Sequence, residues 1–247
     1  MREKGGALSL HVRTELGRPG AERGAARGDV VVIIDALRAS TTIAAALRSG
    51  AERVIPVLTV EEASAYLSDP GYRVAGERGG ARLPQFHYGN SPTQIWAHRH
   101  EIAGLALVLT TSNGTRCIDA AQGGAAALLV GSTVNASAVA RTAFRLARRH
   151  GRDIALVAAG LDGDPAAEDT FSQRVIARRL AALGALRTAP LPIVKETDSL
   201  DVFLGSRSAA RLVQLGYAED VRFCAQVDVW DTVPIHREGS FHLATDE

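Results

Sequence analysis

The stretch Val30–Ile43, VVVIIDALRASTTI, decides how this chain folds. Five consecutive β-branched apolar residues read as a strand buried on both faces, which is what a parallel sheet requires. Asp35 follows at the strand's carboxyl end, then Arg38, Ser40, Thr41 and Thr42, with an Ala-rich helix expected from about Thr42. Ligands of open α/β sheets bind just outside the carboxyl ends of the strands. A helix N-terminus there offers unpaired N–H groups and the positive end of a dipole. A carboxylate, a guanidinium and three hydroxyls therefore converge where a phosphate group would sit.

Outward from this unit, strands and helices alternate. A first short strand is expected at Leu8–Val12, followed by a Gly- and charge-rich loop over 17–29. Further strands are expected at Arg53–Leu58, Tyr72–Ala75, Leu105–Leu109, Ala126–Val130 and Ile154–Ala158, with a last one around Val227–Val229. Thr59 with Glu62 forms a capping box, and Ser91-Pro92 reads as the N-cap and first residue of a helix. Helices stopping at Gly123, Gly151 and Gly184, and another over Leu200–Leu215, complete the pattern. Such alternation implies a largely parallel, doubly wound sheet between helical layers. The chain reads as a single domain over 1–247, with a sub-domain boundary near 187–198 suggested by Pro190 and Pro192.

Composition removes several classes of function. With 28 Lys and Arg against 27 Asp and Glu, net charge argues neither for nor against nucleic acid, and no nucleic-acid partner is expected. No apolar run approaches the ~18 residues of a membrane span. The N-terminus lacks a signal peptide's apolar segment, so a cytoplasmic location is expected. The two cysteines, Cys117 and Cys224, are too few and too far apart for a zinc site.

Four loops share one design, in which a strand runs into small polar residues and then a helix start. They are DALRASTT (35–42), GNSP (89–92, with Asn90 and Ser91), TTSNGT (110–115) and the acidic segment holding Glu168 and Asp169. Any one is explained by capping, which needs a single hydroxyl or amide. TTSNGT supplies more than a cap: Thr111, Ser112, Asn113 and Thr115, plus Gly114 for close backbone approach. Phosphoryl transfer needs donors for the nonbridging oxygens, a divalent cation, and a nucleophile or base. Thr41, Thr42, Ser112, Asn113 and Thr115 are candidate donors, with Arg38 as a clamp. Asp35, Glu168 and Asp169 are candidate ligands for magnesium, although two acids in a helix's first turn also serve its dipole. Asp35 is either metal ligand or nucleophile. In GERGG, Glu77 and Arg78 either pair with each other or Arg78 clamps an anion. His87 is either a general acid or an incidental loop residue. Leu37 stands where the haloacid-dehalogenase motif needs its second Asp, which argues against that mechanism.

Taken together, IDALRASTTI, GERGG, GNSP, LTTSNGTR, GSTVNA, AAGLDGD with EDTFS, and DVRFCAQVD with VPI resemble the 2-phosphosulfolactate phosphatase family from Val30 to Pro234. The resemblance implies a three-layer α/β/α sandwich with a mixed, mostly parallel sheet. It implies magnesium-dependent hydrolysis of 2-phospho-3-sulfolactate to 3-sulfolactate and phosphate, a step of coenzyme M biosynthesis. The site implied is Asp35, Arg38, Glu168 and Asp169 for catalysis, Asp35, Glu168 and Asp169 for metal, and Thr41, Thr42, Arg78, Asn90, Ser91, Thr111, Ser112, Asn113, Gly114 and Thr115 around the substrate. Ser172-Gln173 departs from the family's usual residues, implying an altered helix flank near the metal. The partner expected is a small, multiply anionic phosphate ester, and a homodimer is left open. Another 2-phosphohydroxy acid as substrate, or a non-catalytic anion-binding protein on this scaffold, are the alternatives.

Overall fold

The computed structural model describes residues 9–190 and 192–245. In chain order the elements are β1 (His11–Leu16), α1 (Gly17–Ala26), β2 (Val30–Ile34), α2 (Ala39–Arg48), β3 (Arg53–Val57), α3 (Val60–Ser64), β4 (Tyr72–Arg78) and β5 (Ala81–Arg82). Then come α4 (Pro92–Ala97), α5 (Arg99–Ile102), β6 (Ala106–Thr110), α6 (Gly114–Gln122), β7 (Ala127–Val130), α7 (Ala136–His150), β8 (Ile154–Ala158), α8 (Ala167–Ala182) and β9 (Leu186–Arg187). The last are α9 (Ser199–Leu204), α10 (Arg207–Gln214), α11 (Ala218–Cys224), β10 (Pro234–Arg237) and β11 (Ser240–Leu243).

The strands form one sheet of order β5-β4-β6-β3-β11-β10-β7-β2-β8-β1-β9. Strands β4, β6 and β3 pair in parallel on one side, and β7, β2, β8, β1 and β9 on the other. The antiparallel hairpin β10–β11 joins the two blocks through Ile235↔Leu129 and Phe241↔Val54. Helices cover both faces, giving the expected mixed α/β/α sandwich. All five residues of β2 are fully buried. Val30, Val32 and Ile34 pack against α7, α8 and the C-terminal helices, whereas Val31 and Ile33 pack against α1, α2 and α6. A residue buried from both sides in this way is costly to truncate, about 2–5 kcal/mol for Ile→Ala.

Five expectations are corrected. The first strand begins at His11 and runs to Leu16, and Leu8 lies outside the described residues. The Gly-rich segment 17–29 is mostly helix α1, whose small residues Gly20, Ala21, Gly24 and Ala25 let it lie close to the sheet. Helix α2 starts at Ala39, so Ser40, Thr41 and Thr42 are helical and buried rather than lining an open loop. At the C-terminal side, Leu200–Leu215 is broken at Gly205 into α9 and α10. Val227–Val229 is not a strand, and the closing β-structure is the hairpin at 234–243. Leu191, within the suggested boundary 187–198, lies outside the described residues. Among the described residues no helix is long and apolar enough to cross a membrane.

Candidate active site

The carboxyl ends of β2, β4, β6 and β8 open onto one cavity of about 430 Å3. Its wall includes Asp35, Arg38, Glu77, Asn90, Ser112, Asn113 and Asp162, with Arg207, Ser208 and Arg211 contributed by α10. This is where an open α/β sheet receives its ligand. A wider groove of about 820 Å3 runs along the opposite ends of β1, β2 and β8. Its acids Asp29 and Asp153 are already paired with Arg27 and Arg13.

Asp35 lies between two helix starts. Its Oδ1 accepts the N–H of Ala39 at the start of α2 (3.1 Å), and the N–H of Gly114 at the start of α6 also draws on its charge. Ser40 fastens the turn beneath, accepting the Asp35 N–H at 3.0 Å and donating to the Ile33 carbonyl. Burial nevertheless dominates, and with the neighbouring carboxylates Glu77 and Glu168 it pushes the Asp35 carboxyl up to about 6. Asp169 is pushed up as well, by burial first and then by Asp35 and Glu168. Glu168 is buried with one carboxylate oxygen, Oε2, unpartnered.

Glu77, expected only as a partner for Arg78, joins two loops. Its Oε1 accepts the Ser112 N–H at 2.7 Å and its Oε2 the Gly80 N–H at 2.6 Å. Arg78 instead donates to the carbonyls of Glu77 and Leu58 and to Thr110 Oγ1, and it does not line the cavity. His87 accepts the Val74 N–H through Nδ1, a backbone brace with no access to a leaving group.

Of the expected donors, Ser112, Asn113 and Asn90 reach the cavity. Asn113 precedes α6 without spending its side chain on a cap, and Asn90 is buried with its amide oxygen unpartnered. The other expected contacts are internal. Thr111 Oγ1 accepts the Thr115 N–H, while Thr115 Oγ1 donates to the Thr111 carbonyl. Thr41 bonds Ala36 and Ser132, and Thr42 is fully buried. Ser91 caps α4 and donates to Asp220 at 2.9 Å. Ser172 and Gln173 bond only backbone carbonyls, of Glu168 and of Glu15 and Leu156 respectively, so the departure from the family's residues stiffens α8 against the sheet.

Two expected roles change. Arg38, read as a substrate clamp in a wet cleft, is 2% exposed and ion-paired at 2.8 Å with Asp220, itself fully buried. Its other amino group donates to the Gly80 carbonyl, and its guanidinium lies 4.3 Å from the Tyr217 ring centroid. It forms the cavity wall, but its charge is spent. Asp169, read as a metal ligand, accepts the backbone N–H groups of Ala36 (2.7 Å) and Gly160 (2.9 Å), one on each oxygen. It thereby ties the start of α8 to the loop after Asp35.

Gly114 is held to its identity by this geometry. A Cβ there would lie 2.7 Å from Asp35 Oδ2 and 2.8 Å from Ala39 Cβ. Gly114→Ala is therefore expected to displace the Asp35 carboxylate and lower turnover by about 100-fold, while costing roughly 1–3 kcal/mol in stability from overpacking. Steady-state kinetics beside chemical denaturation checks this, and near-normal turnover would show that the carboxylate can shift without loss.

The 2-phosphosulpholactate phosphatase family matches residues 19–239. A Methanothermobacter thermautotrophicus protein named 2-phosphosulfolactate phosphatase is 37% identical over 238 residues, 96% of this chain and 96% of its own. A Thermus thermophilus protein named "Probable 2-phosphosulfolactate phosphatase" is 37% identical over 215 residues, 85% of this chain and 88% of its own. A protein of the same name from Carboxydothermus hydrogenoformans is 33% identical over 215 residues, 85% of this chain and 87% of its own.

Proposed function

Since the chain belongs to the 2-phosphosulpholactate phosphatase family, we propose that it hydrolyses 2-phospho-3-sulfolactate to 3-sulfolactate and inorganic phosphate, in the cytoplasm and with magnesium. The observation that carries the reading is Asp35. A buried carboxylate without a cationic partner is expensive unless a ligand uses it. Here it stands at the starts of two helices, whose dipoles favour the negative charge of a phosphoryl group.

The residues present suit a hydrated magnesium ion. Among the described residues no three His, Cys, Asp or Glu side chains stand together as a ready-made cage. Magnesium needs none, because it keeps several waters and takes one or two carboxylates with the substrate's phosphate. Asp35 and Glu168 would hold it, the unpartnered Glu168 Oε2 being the kind of atom a cation satisfies. Bound there, the ion would neutralise charge on the phosphate oxygens. Asp169, with one backbone N–H on each oxygen, positions the loop after Asp35 and the start of α8 around those two carboxylates.

The chain's own groups then divide the work. Asp35 meets the reacting phosphoryl group from its place between the starts of α2 and α6. Ser112, Asn113 and Asn90 offer neutral hydrogen bonds to the nonbridging oxygens. Glu77 fixes Ser112 relative to the Gly80 turn, so these donors are in place before substrate arrives.

The purified protein should release phosphate from 2-phospho-3-sulfolactate, and chelation of divalent cations should stop the release. No phosphate above the buffer control would sink the proposal. Glu168→Gln should raise the half-saturating magnesium concentration by about tenfold, worth about 1.4 kcal/mol. The same change should appear in the magnesium dependence of the melting temperature without substrate. An unchanged midpoint in both assays would return Glu168 to complementing the dipole of α8.

A further inference from the structure

The cavity has an uneven charge. Its floor carries Asp35 and Glu77 with Glu168 behind them, and its one buried guanidinium, Arg38, is neutralised by Asp220. No lysine lines it, so the cations left to meet a multiply anionic ester are Arg207 and Arg211 at the mouth. Both stand on α10, which Leu212 anchors in the core. The only ion pair of Arg207 among the described residues is a 3.8 Å contact with Asp164, in which the two side chains are 77% and 75% exposed. Contacts of that kind contribute little and yield readily to a better anion.

Arg211 is braced as well as exposed. Its Nε donates to the Gly79 carbonyl, which braces the guanidinium where Arg211 lines the cavity. The turn beneath is glycine twice, at φ +58° and +86°, and a Cβ on Gly79 would lie 2.7 Å from Arg211 Nη2. The β4–β5 turn is thus shaped to receive this arginine.

We propose that Arg207 and Arg211 form an anion clamp on α10, holding the ester's sulfonate at the cavity mouth while its phosphate lies against Asp35. The inference rests on the phosphatase reading and adds the direction in which the substrate enters. A phosphate drawn to the floor needs a cation or the two helix starts there. The second strong acid cannot also lie among carboxylates, and it meets the two guanidinium groups instead. Planar forks suit a sulfonate's three equivalent oxygens. Selectivity for the sulfonated ester then resides in α10, outside the loops that perform hydrolysis.

The test compares 2-phospho-3-sulfolactate with 2-phospholactate, which lacks the sulfonate. Wild-type protein should prefer the sulfonated ester by kcat/KM. Arg207→Gln and Arg211→Gln should each cut that preference by about fivefold, mainly through KM, and the double variant should bring it near unity. Turnover of 2-phospholactate should stay within about threefold of wild type. Arg211→Lys should recover part of the preference, and Arg222→Gln, an equal loss of charge on the exposed face of α11, should alter nothing. An intact preference in the double variant, or equal losses on both esters, would overturn the clamp. Should wild-type protein release phosphate from neither ester, the phosphatase reading fails, and calorimetric titration with 3-sulfolactate decides the clamp. Binding about tenfold weaker in the double variant supports it, and unchanged binding overturns it.

Discussion

Replacing Asp35 by Asn is expected to lower phosphate release by about a thousandfold or more while making the ligand-free protein more stable. Both halves follow from the same burial. The amide oxygen can still accept the Ala39 N–H, so the start of α2 is kept. What disappears is a charge that the surroundings resist. An acid whose ordinary value is 3.8 stands at about 6 in the folded protein. The sign follows directly: the folded state holds this proton more tightly than the unfolded chain, so the carboxyl costs nothing well below 3.8. The cost grows as pH rises toward 6 and is complete above it. A shift of this size corresponds to about 2–3 kcal/mol. Asp35→Asn should therefore gain roughly that much near neutral pH and about nothing at acid pH. Chemical denaturation across pH, beside phosphate release, measures both. An inactive variant with unchanged pH dependence would mean that the folded site already compensates the charge, and retained activity would remove Asp35 from the chemistry.

The second large effect concerns Arg38 and Asp220. Each lies within a few per cent of full burial, and each is the other's countercharge. Removing one leaves the other charged, dry and unpaired, a loss of about 3–5 kcal/mol. Arg38→Ala should therefore destabilise strongly, and Asp220→Asn likewise. Asp220 also accepts from Ser91 and from the Thr93 N–H and hydroxyl, so its replacement loosens the start of α4 as well. Removing both charges together, in Arg38→Met with Asp220→Asn, should recover most of the stability, as replaced buried ion pairs often do. Activity should not return with it, because the arginine also holds the Gly80 carbonyl and with it the turn under Arg211. The double-mutant cycle in chemical denaturation measures the coupling. A loss below about 1 kcal/mol in Arg38→Ala would show the pair to be dispensable for folding.

The contrast between Asp35 and Arg38 shows what the residues themselves disclosed. Strand β2 and the carboxylate at its end were legible because five β-branched residues bounded by Asp have few other readings. Capping of α3 by Thr59 with Glu62, and of α4 by Ser91, was legible because both partners lie within one turn. The partner of Arg38 was not, since Asp220 stands near the far end of the chain. Nothing local marks one arginine as neutralised and another as free. Arg207 and Arg211 gave no signal either, because a helical pair of arginines normally reads as a solvated face. Helix α1 was missed for a different reason. GRPGAERGAA has poor helix propensity, and what stabilises it is close approach: a Cβ on Gly24 would lie 3.0 Å from the Ala155 Cβ and 3.1 Å from Val31. Glycines that usually signal a turn here provide contact.

The hairpin β10–β11 sets the order in which this molecule can be completed during synthesis. Its strands occupy the middle of the sheet, yet every other strand lies earlier in the chain. Until residue 243 has been made, β3 and β7 leave the ribosome as open, apolar strand edges with no neighbour of their own to take. Such edges recruit other chains. Joining them requires the distant contacts Ile235↔Leu129 and Phe241↔Val54, the slow kind to form. Until the hairpin is made, the nascent chain therefore holds two half-sheets with unpaired edges, the kind of intermediate in which association with other chains competes with folding.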